Sequence, residues 1–249
     1  MTPSSNQSFS TDMMVHSLTS PFNIFIGSII SFLYIKSYSF TGYYLKSRYA
    51  RDYTKLSASR KIYVCKNLIK SVYLTLFCIF SFKSLVNIFY YDIWDNDNIH
   101  TLGMIYALPD IISLFRVKKL PRPTKVHHTS VLVFATMNMG VNYSQYTFWR
   151  ALIVFTFLSA YCCAVNYYLA MRFLISNKKT LYFINSFAFT NYLACVSLNI
   201  FYQYKTLYFQ VMYMHFDVYY VLYFILSHSI LWDDFVLLKF LFGALKTKQ

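Results

Sequence analysis

The sequence predicts an all-α, multi-pass transmembrane bundle of about seven helices, within a range of six to eight. Three observations lead there. Hydrophobic side chains make up 57% of the 249 residues and charged ones 13%, against roughly 25% charged in an average soluble domain. The apolar residues gather into continuous runs rather than the short alternating segments of a membrane barrel. Positive charge is concentrated in every second connection between those runs. These features exclude a soluble basic domain. A net charge of +14 on so apolar a chain lacks the polar surroundings of a nucleic-acid-binding face. Basic loops lying against anionic headgroups account for the charge with no nucleic-acid partner.

Residues 1–20 are rich in Ser and Thr and contain no Lys or Arg, so they read as a disordered polar tail without the basic start of a signal peptide. The predicted spans are residues 22–44, 68–91, 99–115, 126–141, 148–173, 181–202 and 209–231. They form one transmembrane domain over residues 21–244, followed by a short basic cytosolic tail, 245–249. The third and fourth spans are short for a hydrocarbon core about 30 Å thick at about 1.5 Å of rise per residue, so they are expected to be half-membrane or strongly packed. Phe235 to Ala244 either lengthens the seventh span or lies in the interface. The preceding Asp233 and Asp234 read as solvated or capping carboxylates. Cys65, Cys78, Cys162, Cys163 and Cys195 lie in or beside apolar runs without a C-x-x-C spacing, which fits buried thiols rather than a disulfide framework.

Of the 23 Lys and Arg residues, those outside the membrane fall mainly on one side. The connection after span one carries Lys46, Arg48, Arg51, Lys55, Arg60, Lys61 and Lys66. The later connections on that side carry Arg116, Lys118, Lys119, Arg122 and Lys125, then Arg172, Lys178 and Lys179, and the carboxyl end carries Lys239, Lys246 and Lys248. The opposite side offers only Lys83, Arg150 and Lys205. The positive-inside rule then predicts a lumenal amino terminus and a cytosolic carboxyl terminus. The sequons at Asn6 and Asn142 fall on the predicted lumenal side.

Ionisable side chains within spans cost roughly 2.5 to 3.5 kcal/mol on insertion scales, so each is a functional candidate. Asp110, the pair His127 and His128, Asn166, Arg172 and His228 all fall toward the cytosolic ends of their helices, whereas His215 and Asp217 lie nearer the lumenal half. Asp110 follows Pro109, whose ring removes the amide that would bond the carbonyl of Ile105 and tends to kink the helix. Consecutive histidines point about 100° apart. They cannot form an i, i+4 metal pair, and no metal is assigned. The expected arrangement turns one imidazole into the bundle and the other toward a neighbouring helix or the headgroups, with Asp110 orienting a ring or holding its proton.

Over residues 56–244 the chain resembles the TLC-domain family, multi-pass endoplasmic-reticulum proteins that include ceramide synthases and the translocating-chain-associated membrane protein. The residues that carry the resemblance are Leu56 to Lys61 leading to Asn67 and Ser71, then Asp110, then Lys125-Val126-His127-His128-Thr129. Asn166 and Arg172 within Ala164 to Phe173, and the closing stretch from Ile230-Leu231-Trp232 to Lys246, complete it. In the synthases the histidine pair is thought to act in acyl transfer with acidic residues further along, where this chain reads Tyr161 to Asn166 without an acid. The chain is therefore more similar to the non-synthase, lipid-homeostasis branch, and the resemblance implies an endoplasmic-reticulum or other secretory-pathway membrane.

Three functions are weighed. The first is binding or modification of a membrane lipid or acyl chain near the cytosolic leaflet. His127, His128 and Asp110 would be the reactive groups, and Asn166, Arg172 and His228 lipid contacts. Lys118, Lys119 and Arg122 would meet phosphate or headgroup, and no cofactor is implied. The second is an acyl-CoA-dependent N-acyltransferase, with acyl-CoA as co-substrate and one histidine as general base. The third is a non-catalytic chaperone, cargo receptor or transporter, with transport ranked last because no paired broken helices mark inverted repeats.

Overall fold

The computed structural model describes residues 9–117, 120–145, 147–213 and 218–246. They form ten helices: α1 (Thr11–Thr19), α2 (Pro21–Arg48), α3 (Ala50–Thr54), α4 (Ala58–Tyr91), α5 (Asn96–Arg116), α6 (Arg122–Asn138), α7 (Arg150–Tyr161), α8 (Cys163–Met171), α9 (Lys178–Tyr213) and α10 (Val218–Lys246). Among the described residues the β-structure is confined to one isolated bridge, Phe9 to Val141.

Local chemistry sets many of the boundaries. Pro21 occupies the first turn of α2, where a missing amide costs nothing. Ser57 and Asp95 cap α4 and α5 by accepting from the amides of Arg60 and Asn98. Asp92 ends α4 in the left-handed region at φ 52°, a conformation that Asp tolerates better than most residues.

Five helical segments are long and apolar enough to cross a membrane: α2, α4, α7 with α8, α9 and α10. Their outer faces expose large apolar side chains, among them Phe40 at 73%, Phe80 at 80% and Phe183 at 73%. Such surfaces identify an integral membrane protein, because water would drive patches of this size together. The predicted span 148–173 is interrupted at Cys162. Residues 209–213, assigned from sequence to the seventh span, complete α9 instead, and Phe235 to Ala244 lengthens α10.

Adjacent helices pack in the order α4, α8, α9, α10, α6, α5 and back to α4, closing a ring. Helix α2 covers the seam between α4 and α5, and α7 reaches α4, α5 and α9 from within. This explains why Ala151 through Phe157 are buried continuously. Leu74, Phe77, Tyr106, Phe134, Trp149 and Phe157 belong to the main apolar core.

The expectation of a disordered tail over residues 1–20 does not hold for residues 9–20. Ser10 caps α1, its amide donates to the carbonyl of Gly140 at 2.7 Å, and Phe9 stacks on Tyr219 with ring centroids 4.8 Å apart. Ser17 Oγ lies 3.1 Å from His100 Nδ1 in a buried contact. Composition registered the Ser and Thr content but not these tertiary partners. Residues 1–8, including the sequon at Asn6, lie outside the described residues, as do 247–249 of the predicted basic tail. Leu245 and Lys246 of that tail close α10.

Helix α5 runs through Pro109 without a break. The carbonyl of Ile105, which the proline leaves without its helical donor, accepts instead from the Tyr73 hydroxyl of α4 at 2.6 Å. A neighbouring helix thus satisfies the exposed backbone group, as a low-dielectric environment demands.

Candidate functional site

One turn beyond Ile105, α5 presents Asp110, 1% exposed. A lone buried carboxylate is costly unless paired and hydrogen-bonded. Two elements supply partners. Lys70 of α4 donates from Nζ to Asp110 Oδ1, and His128 Nδ1 of α6 lies 2.8 Å from the same oxygen. The histidine contact is close in distance but off the direction of the N–H bond, so its strength is that of charge and dipole more than of an aligned hydrogen bond. With Nδ1 facing the carboxylate, His128 presents the lone pair of Nε2 to Lys66 Nζ, 3.4 Å away.

The two histidines diverge as their helical spacing requires. Their rings stand at 90° with centroids 5.6 Å apart. While His128 turns to Asp110, His127 Nδ1 lies 3.4 Å from Asp233 Oδ2 of α10. The next residue, Asp234, is 7% exposed and accepts from the Tyr192 hydroxyl of α9 at 2.7 Å. The solvated reading of Asp233 and Asp234 is thereby corrected: α10 carries them to the inside of the ring, where a histidine and a tyrosine meet them.

Asp110 lies behind these partners, and the other groups line a cavity of about 400 Å³. Lys66, Lys70, His127, His128, Asp233 and Asp234 are among its polar lining residues, and Leu74, Val165, Leu169, Val196, Leu237 and Phe240 among its apolar ones. Val117, Leu120 and Pro121, between α5 and α6, and Pro123 and Thr124 in the first turn of α6 also border it.

The residues singled out from the sequence separate into three groups. Asp110, His127 and His128 meet, with one ligand-type atom from each inside a 4.8 Å span. That spacing would suit a metal ion, but Lys70 and Lys66 already bring ammonium groups against Asp110 and His128, and such a set favours hydrogen bonding over cation binding. Asn166 and Arg172 also line the cavity. Arg172 stacks over Phe173 at 4.7 Å and Phe240 at 4.8 Å. Its Nε is buried without a hydrogen-bond partner.

His228 does not join them. It contacts the Tyr204 hydroxyl at 3.3 Å and the Phe224 carbonyl at 2.8 Å, beside a separate small cavity lined by Gln203 and Tyr223. One further turn of α10 separates it from the acidic pair, enough to place it on a different side. Arg122 opens α6 on its exposed surface and is not among the lining residues. Lys118, Lys119, His215 and Asp217 lie outside the described residues.

Sequence reasoning missed Lys66, counted among loop charges, and Lys70. The available signal was their i, i+4 spacing, interleaved with Asn67 and Ser71, at the start of an apolar helix.

The opposite end of the bundle is held by polar contacts of another kind. His100 Nε2 contacts the Val141 carbonyl at 2.9 Å, and the Asn96 side-chain carbonyl accepts from the Tyr143 amide at 2.7 Å. The Tyr143 hydroxyl donates to Asn138 Oδ1 at 2.8 Å, and its burial, reinforced by Tyr223, pushes the phenol pKa well up. Arg150 lies over the Trp94 ring at 4.4 Å.

Comparison of the chain with protein-family models, curated proteins and solved structures finds no match.

Proposed function

We propose that this chain is a membrane-lipid-homeostasis protein of TLC type that binds a lipid or acyl chain in the ring of helices, with the lipid's polar end near Asp110, His127 and His128. The observation that carries this reading is a cavity lined by His127 and His128, with Asp110 held against His128, and by apolar side chains such as Leu74, Val165, Val196 and Leu237. Lipid pockets need that pairing, because a chain gains from apolar burial while its head needs hydrogen-bond partners. The unpartnered Arg172 Nε adds a donor for an acidic headgroup. The resemblance described above supports an endoplasmic-reticulum or other secretory-pathway membrane, with the basic loops facing the cytosol.

The test is a lipid census by mass spectrometry on protein purified in mild detergent, run beside His127→Ala/His128→Ala. A specific lipid class retained by the natural chain and depleted in the variant is expected. An identical lipid profile for both would overturn the reading.

A second reading, an acyl-CoA-dependent N-acyltransferase, is favoured by the contact between His127 and Asp233. A carboxylate behind an imidazole stabilises the imidazolium formed when the ring takes a proton. An amine nitrogen would attack the thioester carbonyl, the C–N bond forming as the C–S bond breaks. His127 would take the amine's proton and CoA would leave as thiol. Absence of labelled acyl transfer to a panel of long-chain amines would remove this reading and leave the first intact.

A further inference from the structure

The geometry points to Lys66 as a covalent binding site for a long-chain aldehyde, held in the cavity as a Schiff base. This rests on the reading of the cavity as a lipid site.

Lys66 is 6% exposed, and it sits one helical turn before Lys70. The two ammonium groups have one close carboxylate between them, and Lys70 holds it. Among the described residues, no carboxylate oxygen lies within 4.0 Å of Lys66 Nζ. A lysine that is both desolvated and set beside a second cation is the arrangement that frees an amine for attack on carbonyl carbon. The partner that Lys66 does have, His128 Nε2 at 3.4 Å, is a proton acceptor backed by Asp110. Amine, imidazole and carboxylate thus stand in the order of a nucleophile, its base and the group that orients the base. A structural lysine would instead be found with its own carboxylate or with its head in water.

The chemistry balances without a redox partner. The lone pair of Lys66 Nζ attacks the aldehyde carbon, an N–C bond forms, and the carbonyl π electrons move to oxygen. A proton passes from nitrogen to that oxygen by way of His128 Nε2, giving a carbinolamine. The hydroxyl then leaves as water with a second proton, and the C=N bond closes. The net change is amine plus aldehyde to imine plus water. The apolar lining residues Leu74, Val165, Val196 and Leu237 receive the hydrocarbon chain, which selects long-chain aldehydes over short soluble ones.

The experiment treats purified full-length protein with hexadecanal, or with propanal as the soluble control, then reduces with borohydride and maps the adducts by peptide mass spectrometry. Hexadecanal is expected to label Lys66 above every other lysine, while propanal marks exposed lysines instead. Lys66→Arg and Lys66→Met should each lose the adduct, two variants guarding against failure of either to fold. His128→Gln should slow adduct formation by about 10²-fold or more, the usual contribution of a positioned proton-transfer group, and flatten its pH profile. Co-purifying lipid measured on the same samples separates the two claims. Retained lipid without a Lys66 adduct overturns the aldehyde site and leaves the cavity reading in place. Loss of both overturns the cavity reading and this inference with it. Hexadecanal labelling spread evenly over surface lysines also overturns it.

Discussion

Tyr73 of α4 donates its hydroxyl to the backbone carbonyl of Ile105 in α5, at 2.6 Å, and so replaces the amide that Pro109 cannot provide. Two helices are joined through a proline defect. Tyr73→Phe leaves that carbonyl without a donor and is expected to lower stability by roughly 1–3 kcal/mol. Pro109→Ala restores the helical amide, so the loss should shrink in the double variant. Thermal unfolding in one detergent, run as a double-mutant cycle, measures the coupling. Additive losses would show that the carbonyl does not depend on Tyr73.

Asp110 accepts from Lys70 and faces His128. Asp110→Asn strands Lys70, whose side chain is 15% exposed, as an uncompensated buried charge. Breaking a buried pair from one side costs roughly 3–5 kcal/mol. Asp110→Asn/Lys70→Met removes both charges and should recover most of that loss. The cavity would then be folded but lack the Lys70 ammonium and the carboxylate facing His128, so the same pair of variants separates stability from lipid retention.

Gly103 of α5 stands against the Asn138 side chain at the end of α6. A Cβ there would meet Asn138 Nδ2 at 2.5 Å and Cγ at 2.9 Å, and Asn138 is fixed by the His100 carbonyl and the Tyr143 hydroxyl. Gly103→Ala is expected to displace the Asn138 amide and destabilise by about 1–3 kcal/mol, the usual loss for a buried polar group deprived of partners. A Cβ added at Gly243 would meet nothing within 4 Å, so Gly243→Ala is the control and should melt at or slightly above the natural temperature.

The bundle was legible in the sequence because apolar runs and basic connections are one-dimensional signals. The meeting of Asp110, His127 and His128 was also within reach, since each lies near the same end of its helix. What the sequence could not give was rotation about the helix axes. His228 and Asp233 share α10, yet one faces Tyr204 and the other His127. Lys66 resembled any other charge in a basic loop because burial is decided by neighbours distant in sequence. The docking of α1 was hidden for the same reason: Ser10 and Ser17 find their partners at Gly140 and His100.

That docking predicts local protection. Amides of residues 14–19 should exchange more slowly than those of a frayed tail, and Ser17→Ala should speed them by removing the partner of His100 Nδ1. Loss of the Ser10 cap in Ser10→Ala costs about 1 kcal/mol and should act on the same amides while the global melting temperature barely moves. Hydrogen exchange read by mass spectrometry reports both. Equal exchange in all three proteins would mean that α1 is not held against the bundle.

Arg172 and Arg122 both carry charge near the same end of the bundle, but only Arg172 lines the cavity. Its guanidinium is stacked on Phe173 and Phe240, and its Nε has no hydrogen-bond partner. An acidic lipid head would complete that donor, and hydrogen bonds to charged groups contribute roughly 1.5–3 kcal/mol. With about 1.4 kcal/mol per factor of ten, Arg172→Gln should reduce retention of an anionic lipid by about tenfold or more. Arg172→Lys should restore charge but not the planar stacking, and so recover only part. Arg122→Gln, on the exposed face of α6, should leave retention unchanged. Equal effects of the two glutamine variants would mean that the charge acts through the membrane surface, and that the cavity does not read the headgroup.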